Sequence, residues 1–314
     1  MTWISDDAVA RLRDVTEQPD LGGTRYRLVR ELGRGGMGVV YEAYDSELDR
    51  AVALKVLSVI LSEAKDPLPA RGSLAPPGMT RLAREARIVA RLEHPGIVPV
   101  HDVGTLADGR IYYTMKLVRG VDLRAWAGGG RSRTDALRLF TRICEAVAFA
   151  HANGVVHRDL KPENVMVGEF GAVLVMDWGV AHAADDAVTE RAIVGTPRYM
   201  APEQARGEPA DARSDVYALG AMLSFLVRAT SESTPRPLAA IVARAMAGDP
   251  AQRYADARQL GADVLRFLDD EPVSAYRENP LERAGRWLAR NRVLVVLVAA
   301  YLVMRAIVFF WMRL

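Results

Sequence analysis

The chain has 314 residues, half of them hydrophobic, a formal net charge of +2 and one cysteine. This is room for one large domain or two lobes with an appendage, and it excludes an internal disulfide. The small net charge argues neither for nor against a polyanion, and no nucleic acid is expected as a partner. Met1-Thr2-Trp3-Ile4-Ser5-Asp6-Asp7 has no basic or apolar leader pattern, so no secretory signal is expected. The five histidines show no metal-ligand spacing, which argues against zinc.

Residues 5–15 suggest a short helix, with Ser5 as N-cap and Asp6 and Asp7 in its first turn. Residues 18–23 read as a linker. From Tyr26 the pattern becomes strand-like. Leu32-Gly33-Arg34-Gly35-Gly36-Met37-Gly38-Val39-Val40 carries G-x-G-x-x-G, which by itself also opens dinucleotide-binding units. There a helix should follow; here β-formers follow through Tyr44, so the glycines are expected between two strands. Such glycines let backbone N–H groups approach a phosphate closely, and an ordinary Gly-rich hairpin is the other reading. Val52-Ala53-Leu54-Lys55-Val56-Leu57 is the next strand. Lys55 lies inside an apolar run and needs an anion there, unless it snorkels from an edge. Residues 58–80 hold four prolines and are expected to be an irregular insertion. Leu82, Ala86, Val89 and Leu92 keep helical spacing, with Glu85 beside that face.

Residues 94–100 and 111–115 read as two further strands. Residues 134–153 read as a helix with Leu137, Phe140, Cys144 and Val147 on its apolar stripe. Cys144 is expected as a buried small residue rather than a nucleophile. Next comes His157-Arg158-Asp159-Leu160-Lys161-Pro162-Glu163-Asn164, flanked by short apolar runs: strand, tight loop, strand. Within six residues it offers a proton acceptor, a cation and an amide oxygen for a hard metal. That set suits phosphoryl transfer, where a protein mainly positions groups and neutralises charge. A polar hairpin is the plainer alternative. A β-run then ends in Asp177-Trp178-Gly179. Residues 180–194 are polar and Ala-rich, with Thr189 as the one hydroxyl. Gly195-Thr196-Pro197-Arg198-Tyr199-Met200-Ala201-Pro202-Glu203 follows. A buried helix begins near Ser214 and Asp215, and Asp215 can accept N–H bonds from the Asp159 loop. Arg253 follows Asp249-Pro250, and residues 256–268 form an amphipathic helix. Four arginines, at 283, 286, 290 and 292, lead into an apolar run over 293–312. Twenty residues suit a bilayer. A central arginine costs about 2.5–3.5 kcal/mol on insertion scales, against about −0.3 to −0.6 for each Leu, Ile, Val or Phe; Arg305 lies past the midpoint, where it can snorkel. The apolar sum is expected to win. A hydrophobic helix packed on the domain or in an oligomer is the alternative.

Taken in order, these motifs resemble those of bacterial eukaryotic-type (Hanks-type) serine/threonine protein kinases. The resemblance implies an α+β, two-lobed fold over 26–268, with a β-rich lobe at about 26–118 and a helical lobe at about 119–268. Outside it lie an extension (1–25), a basic juxtamembrane linker (269–292) and a transmembrane helix (293–312). It implies that residues 33–38 cover ATP phosphates and that Lys55, paired with Glu85, orients them. Leu32, Gly33, Arg34, Gly35, Gly36, Met37, Gly38, Val40, Ala53, Met115, Val118 and Met166 would line the nucleotide site, and Asp122 would face the ribose. Asn164 and Asp177 would hold Mg²⁺, with Mn²⁺ admitted. Asp159 would be the catalytic base, Lys161 would steady the transferring group, and Thr196 would bond near both. Arg158 would pair with a phosphorylated Thr189. Glu203 and Arg253 would pair, and Asp215 would brace the loop. The resemblance implies a Ser/Thr protein substrate, and a homodimer is admitted; the apolar run implies the membrane as a partner, and the four arginines before it place the kinase domain on the cytoplasmic side. The sequence departs from the family in four places. Trp178 stands where Phe is usual and Lys116 where an acid is common. The 58–80 insertion is long and the 226–238 stretch short. A silent membrane-tethered pseudokinase scaffold and a small-molecule kinase are the rival readings.

Overall fold

A computed structural model describes residues 18–35, 38–57, 92–178, 182–183, 197–230 and 232–312. Five strands build the first lobe: β1 (Tyr26–Gly35), β2 (Gly38–Asp45), β3 (Arg50–Leu57), β4 (Val100–Thr105) and β5 (Ile111–Lys116). They pair antiparallel in the order β1-β2-β3-β5-β4. Alternation does the local work. In β2, Val39, Tyr41 and Ala43 point inward while Val40, Glu42 and Tyr44 stay half-buried. With Tyr26, Val52, Leu54 and Val56 they close one small core.

The glycine segment is the β1–β2 hairpin, with Gly35 opposite Gly38 and Gly33 opposite Val40. The glycines are not equivalent. Gly38 has φ +141°, and a Cβ there would fall 2.1 Å from the Val56 carbonyl oxygen. A Cβ on Gly33 or Gly35 would meet no atom of the described residues within 4 Å. Gly38→Val is therefore expected to destabilise by about 1–3 kcal/mol from backbone strain alone, before the clash is counted. Gly35→Val should leave the melting temperature in place. Thermal unfolding of the two variants side by side checks this, and equal losses would refute it.

The second lobe is helical. Its elements are β6 (Gly120–Asp122), α1 (Leu123–Ala127), α2 (Arg133–Ala152), β7 (Val155–Val156), β8 (Val165–Gly168), β9 (Val173–Val175), β10 (His182–Ala183), α3 (Pro202–Ala205), α4 (Ala212–Ala229), α5 (Arg236–Ala245) and α6 (Ala257–Leu268). Ser132, Asp211 and Asp256 cap α2, α4 and α6 by accepting backbone N–H bonds. Leu137, Phe140, Ile143, Cys144 and Val147 of α2 pack with Leu219, Met222, Leu223 and Leu226 of α4 and with Leu260 and Val264 of α6. Each such large side chain contributes about 1.5–3 kcal/mol on burial. Burial also pushes the Cys144 thiol pKa well up, as suits an inert core residue.

Several expectations change. Residues 94–99 are not a strand. Pro95 and Pro99 cannot donate to a ladder, and one isolated parallel bridge, Ile97 to Val175, remains. That stretch ties the lobes together: Val98 N donates to Val175 O (3.2 Å) and Val175 N to Gly96 O (2.8 Å). The strands flanking the 157–164 loop do not pair with each other. β7 joins β10, and β8 sits between β6 and β9. The 269–292 stretch, expected as a linker, is in part packed. Val273 is buried, and Ser274 and Ala275 donate to the buried Asp263 of α6. A helix, α7 (Pro280–Arg290), follows.

The apolar run forms helix α8 (Arg292–Trp311). Among the described residues, however, no helix is long and apolar enough to cross a membrane. The transmembrane expectation for 293–312 is therefore not carried by the described structure. Arg305, the helix's one charge after Arg292, lies past its midpoint. The helix expected at 5–15, the 58–80 insertion and most of the 82–92 helix lie outside the described residues.

Candidate active site

The site forms where β3, the 157–164 loop and the end of β9 converge. β3 and β5 pair with Lys55 opposite Tyr113 and Ala53 opposite Met115. Lys55 is 3% exposed, and its ammonium pairs directly with the Asp177 carboxylate. Burial works against that ammonium, but Tyr113 and Asp177 outweigh it and hold its pKa above the ordinary lysine value. Burial pushes the Tyr113 hydroxyl up, so Tyr113 is neutral near pH 7 and Asp177 is the real counter-charge. A lysine inside an apolar strand thus has its anion, 122 positions later in the chain.

Asp159 sits at 7% exposure in the loop. Lys161 Nζ donates to its Oδ2 at 2.6 Å. Asn164 Nδ2 donates to the Asp159 backbone carbonyl at 2.7 Å and lies 3.4 Å from Oδ2. With its amide nitrogen so engaged, Asn164 has its side-chain carbonyl oxygen left for another partner. Met176 N donates to Asn164 O at 2.8 Å, which joins the loop to the residue just before Asp177.

The loop's shape is imposed from outside. Asp215, 1% exposed near the start of α4, accepts from His157 N and Arg158 N, both at 2.8 Å, and from His151 Nε2 at 2.8 Å. Burial alone would raise the Asp215 pKa; the His151 bond and the backbone N–H of His157 outweigh it and hold the carboxyl below its usual range. Gln204 Nε2 donates to Arg158 O at 2.9 Å. Arg158 is pinned on both sides and takes φ +66°, while Asp177 takes +61°. Two non-glycine residues in this sparsely populated region mark an over-determined site.

His157 is a centre that sequence reasoning missed. It is fully buried, and its Nε2–H donates to Met176 O at 2.9 Å. Its Nδ1 then accepts from Asp159 N at 3.3 Å. One ring therefore spaces Asp159 from the Asp177 strand, with the Trp178 ring 4.6 Å away. Trp178 is 3% exposed and donates to Val175 O at 3.2 Å, a bond that phenylalanine lacks. The signal in the sequence was weak, namely a histidine beside a charged loop. Arg124 of α1 was missed too; its Nη2 lies 2.5 Å from Glu163 Oε1.

A bidentate pair supports the site from below. Arg253 Nη1 and Nη2 donate to Glu203 Oε1 and Oε2 at 2.7 and 2.8 Å. Ser214 Oγ adds a bond to Oε1 at 2.8 Å. Burial would raise the Glu203 pKa, but Arg253 and Ser214 bring it below its usual value. With depressed values for Glu203, Asp215 and Asp263, the sign is fixed. Their stabilisation is present above the unfolded carboxylate range, about pH 4, and is lost as pH falls through the lower folded values. Denaturant titrations at stepped pH should show stability falling below about pH 4. Asp215→Asn should flatten that slope; an unchanged slope would remove Asp215 from the set.

Other expected positions fall as follows. Met115, Val118 and Met166 are half-buried, and Val40 sits on the half-buried face of the hairpin. Leu32 and Arg34 are exposed on β1. Lys116 N bonds Pro99 O at 3.2 Å. Asp122, expected at a ribose, caps α1 through Oδ1, accepting from Ala125 N at 2.7 Å. Gly36, Met37, Glu85, Thr189 and Thr196 lie outside the described residues. Among the described residues, no group of three or more His, Cys, Asp or Glu could hold a metal. Asn164 and Asp177 nevertheless offer hard oxygen donors, the type that would hold Mg²⁺.

A strand-bound lysine paired with the acid after β9, and an aspartate loop braced from a helix, define a phosphotransfer scaffold of two lobes. The chain belongs to the protein kinase family: residues 26–245 match the protein kinase domain. It is 37% identical over 286 residues to the serine/threonine-protein kinase PknB of Mycobacterium tuberculosis, covering 80% of this chain and 44% of that protein. It is 35% identical over 329 residues to the serine/threonine-protein kinase PknD of Chlamydia pneumoniae, covering 86% of this chain and 34% of that protein. The chain thus spans less than half the length of either relative.

Proposed function

We propose that this chain transfers the γ-phosphoryl group of ATP to serine and threonine hydroxyls of proteins. The observation that carries the reading is the Asp159 carboxylate, held by Lys161 at 2.6 Å in a loop whose Asn164 carbonyl accepts from Met176 N, the residue before Asp177. Asp159 accepts the hydroxyl proton as the oxygen attacks, and Lys161 steadies charge on the transferring group. Lys55 and Glu85 orient the phosphates. Asp177 and Asn164 would hold Mg²⁺, or Mn²⁺, which when bound neutralises phosphate charge. Gly33 and Gly35 serve ligand approach, since a side chain there would meet no described protein atom. Leu32, Val40, Ala53, Met115, Val118 and Met166 line the nucleotide site. Thr196 seats the acceptor, and phosphate on Thr189 pairs with Arg158. The names of both relatives support a Ser/Thr acceptor. No catalytic position is vacant, so nothing here favours the silent scaffold.

We further propose that α8 is covered by lipid, with the kinase body on the cytoplasmic side. The support is an apolar run with Arg305 as its single charge over 293–312, preceded by arginines. Val293, Leu297, Leu302 and Ile307 are exposed, with no described residue over them.

Incubation with labelled ATP and Mg²⁺, then phosphosite mapping, tests the activity. Phosphate on itself or on a generic Ser/Thr acceptor is expected. ATP binding without any transfer would leave only the scaffold.

A further inference from the structure

Helix α7 presents one stripe to the kinase body and another that no described residue covers. Asn279 accepts from Glu282 N at 2.7 Å, and Glu282 reaches back to Asn279 N at 3.0 Å, fixing where the helix starts. Tyr276, packed on the main core, donates to Glu282 at 3.0 Å. Arg286 pairs with Glu278, and Arg236 of α5 stands 3.8 Å from Glu282. Glu282 and Arg286, four residues apart, therefore form the tethered stripe. At about 100° per residue, Leu281, Ala284 and Leu288 lie on the other side. Leu281 is 82% exposed, Leu288 46% and Trp287, at their border, 56%. Arg283 and Arg290 are exposed on the remaining flank.

We propose that α7 lies in the plane of an anionic membrane surface, with Leu281, Leu288 and Trp287 in the acyl boundary and Arg283 and Arg290 against the headgroups. The inference extends the reading of α8 as lipid-covered. Charge picks the occupant: the free part of the helix carries cations, while its one acid, Glu282, is committed to Tyr276 and Asn279. An apolar stripe with Trp at its edge and arginines opposite is the pattern of a helix lying in an interface. The position agrees as well, because the apolar α8 begins two residues after α7 ends. Held by Tyr276 and Glu278, α7 would fix how the catalytic body sits over the membrane.

The test uses the full chain in a Cys144→Ala background, which removes the single native thiol. Spin labels are placed through Leu281→Cys, Leu288→Cys and Arg283→Cys, with Met304→Cys in α8 as a separate reporter. Vesicles of phosphatidylcholine are compared with and without phosphatidylglycerol. Labels at 281 and 288 should become oxygen-accessible and nickel-shielded only with phosphatidylglycerol, while the label at 283 stays in water. Aqueous labels at 281 and 288 on anionic vesicles overturn the proposal, and a lipid-buried 304 would then leave the α8 reading standing. Insertion that ignores lipid charge overturns the anionic surface, and spin–spin coupling without lipid access would assign the face to a second copy. An aqueous 304 with lipid-buried 281 and 288 rejects the α8 reading and keeps this one.

Discussion

Asp159→Asn lowers the rate of phosphoryl transfer by about 10²–10⁴-fold, the usual worth of a positioned general base. The melting temperature stays close to that of the parent. The reason is local. An amide fills the same volume at a site 7% exposed, and its carbonyl oxygen still accepts from Lys161, 2.6 Å away in the parent. What is lost is a group that takes the hydroxyl proton. Lys55→Met acts in the same direction, because it removes the cation paired with Asp177. Steady-state assays with a Ser/Thr peptide, beside thermal unfolding of the same samples, separate chemistry from folding. Substantial residual transfer by pure Asp159→Asn protein would sink the assignment of the base.

The second large effect is on stability. Arg253→Ala costs about 3–5 kcal/mol, the range for breaking a buried ion pair from one side. The Arg253 side chain is fully buried and Glu203 is 7% exposed at the side chain. Besides the two bonds to Glu203, the guanidinium donates to Ala247 O at 2.8 Å and Arg213 O at 2.9 Å. Removal leaves the Glu203 carboxylate with the Ser214 hydroxyl and takes a donor from three backbone carbonyls, those of Ala247, Arg213 and Gly248. A paired change, Glu203→Leu with Arg253→Met, should recover much of the loss, since apolar replacement of a buried pair is often near neutral. Denaturant unfolding of the parent, single and double variants decides it. A single variant within about 1 kcal/mol of the parent, the range of exposed pairs, would show that the pair behaves like a surface one.

How much of the site was legible depends on whether a role is carried by local chain or by folding. Residue type and helix periodicity are local, so β2, α2 and α6 stand within a residue or two of where the sequence placed them. The prediction that Lys55 needs an anion followed from desolvation alone. Which anion it has in this structure did not, because Asp177 is 122 positions away. Residues 94–99 failed as a strand because their apolar pattern outweighed two prolines in the reading. The hydrogen-bond demand of a ladder decided otherwise.

His157, Gln204 and Asp263 were invisible in one dimension. Each is a polar side chain whose burial is tolerable only because partners from distant elements satisfy it, and no periodicity reports such partners. The same holds for the left-handed backbone of Arg158 and Asp177, which exists because bonds on either side over-determine it. By itself the sequence determined the order of the motifs, the helices and strands between them, the family resemblance and the apolar C-terminal run. Only the tertiary structure decided that Gly38 answers to the fold while Gly33 and Gly35 do not, that Asp122 caps a helix, and that α7 leaves an apolar stripe uncovered. Composition and spacing record what each residue is able to do, whereas packing selects which partner it meets.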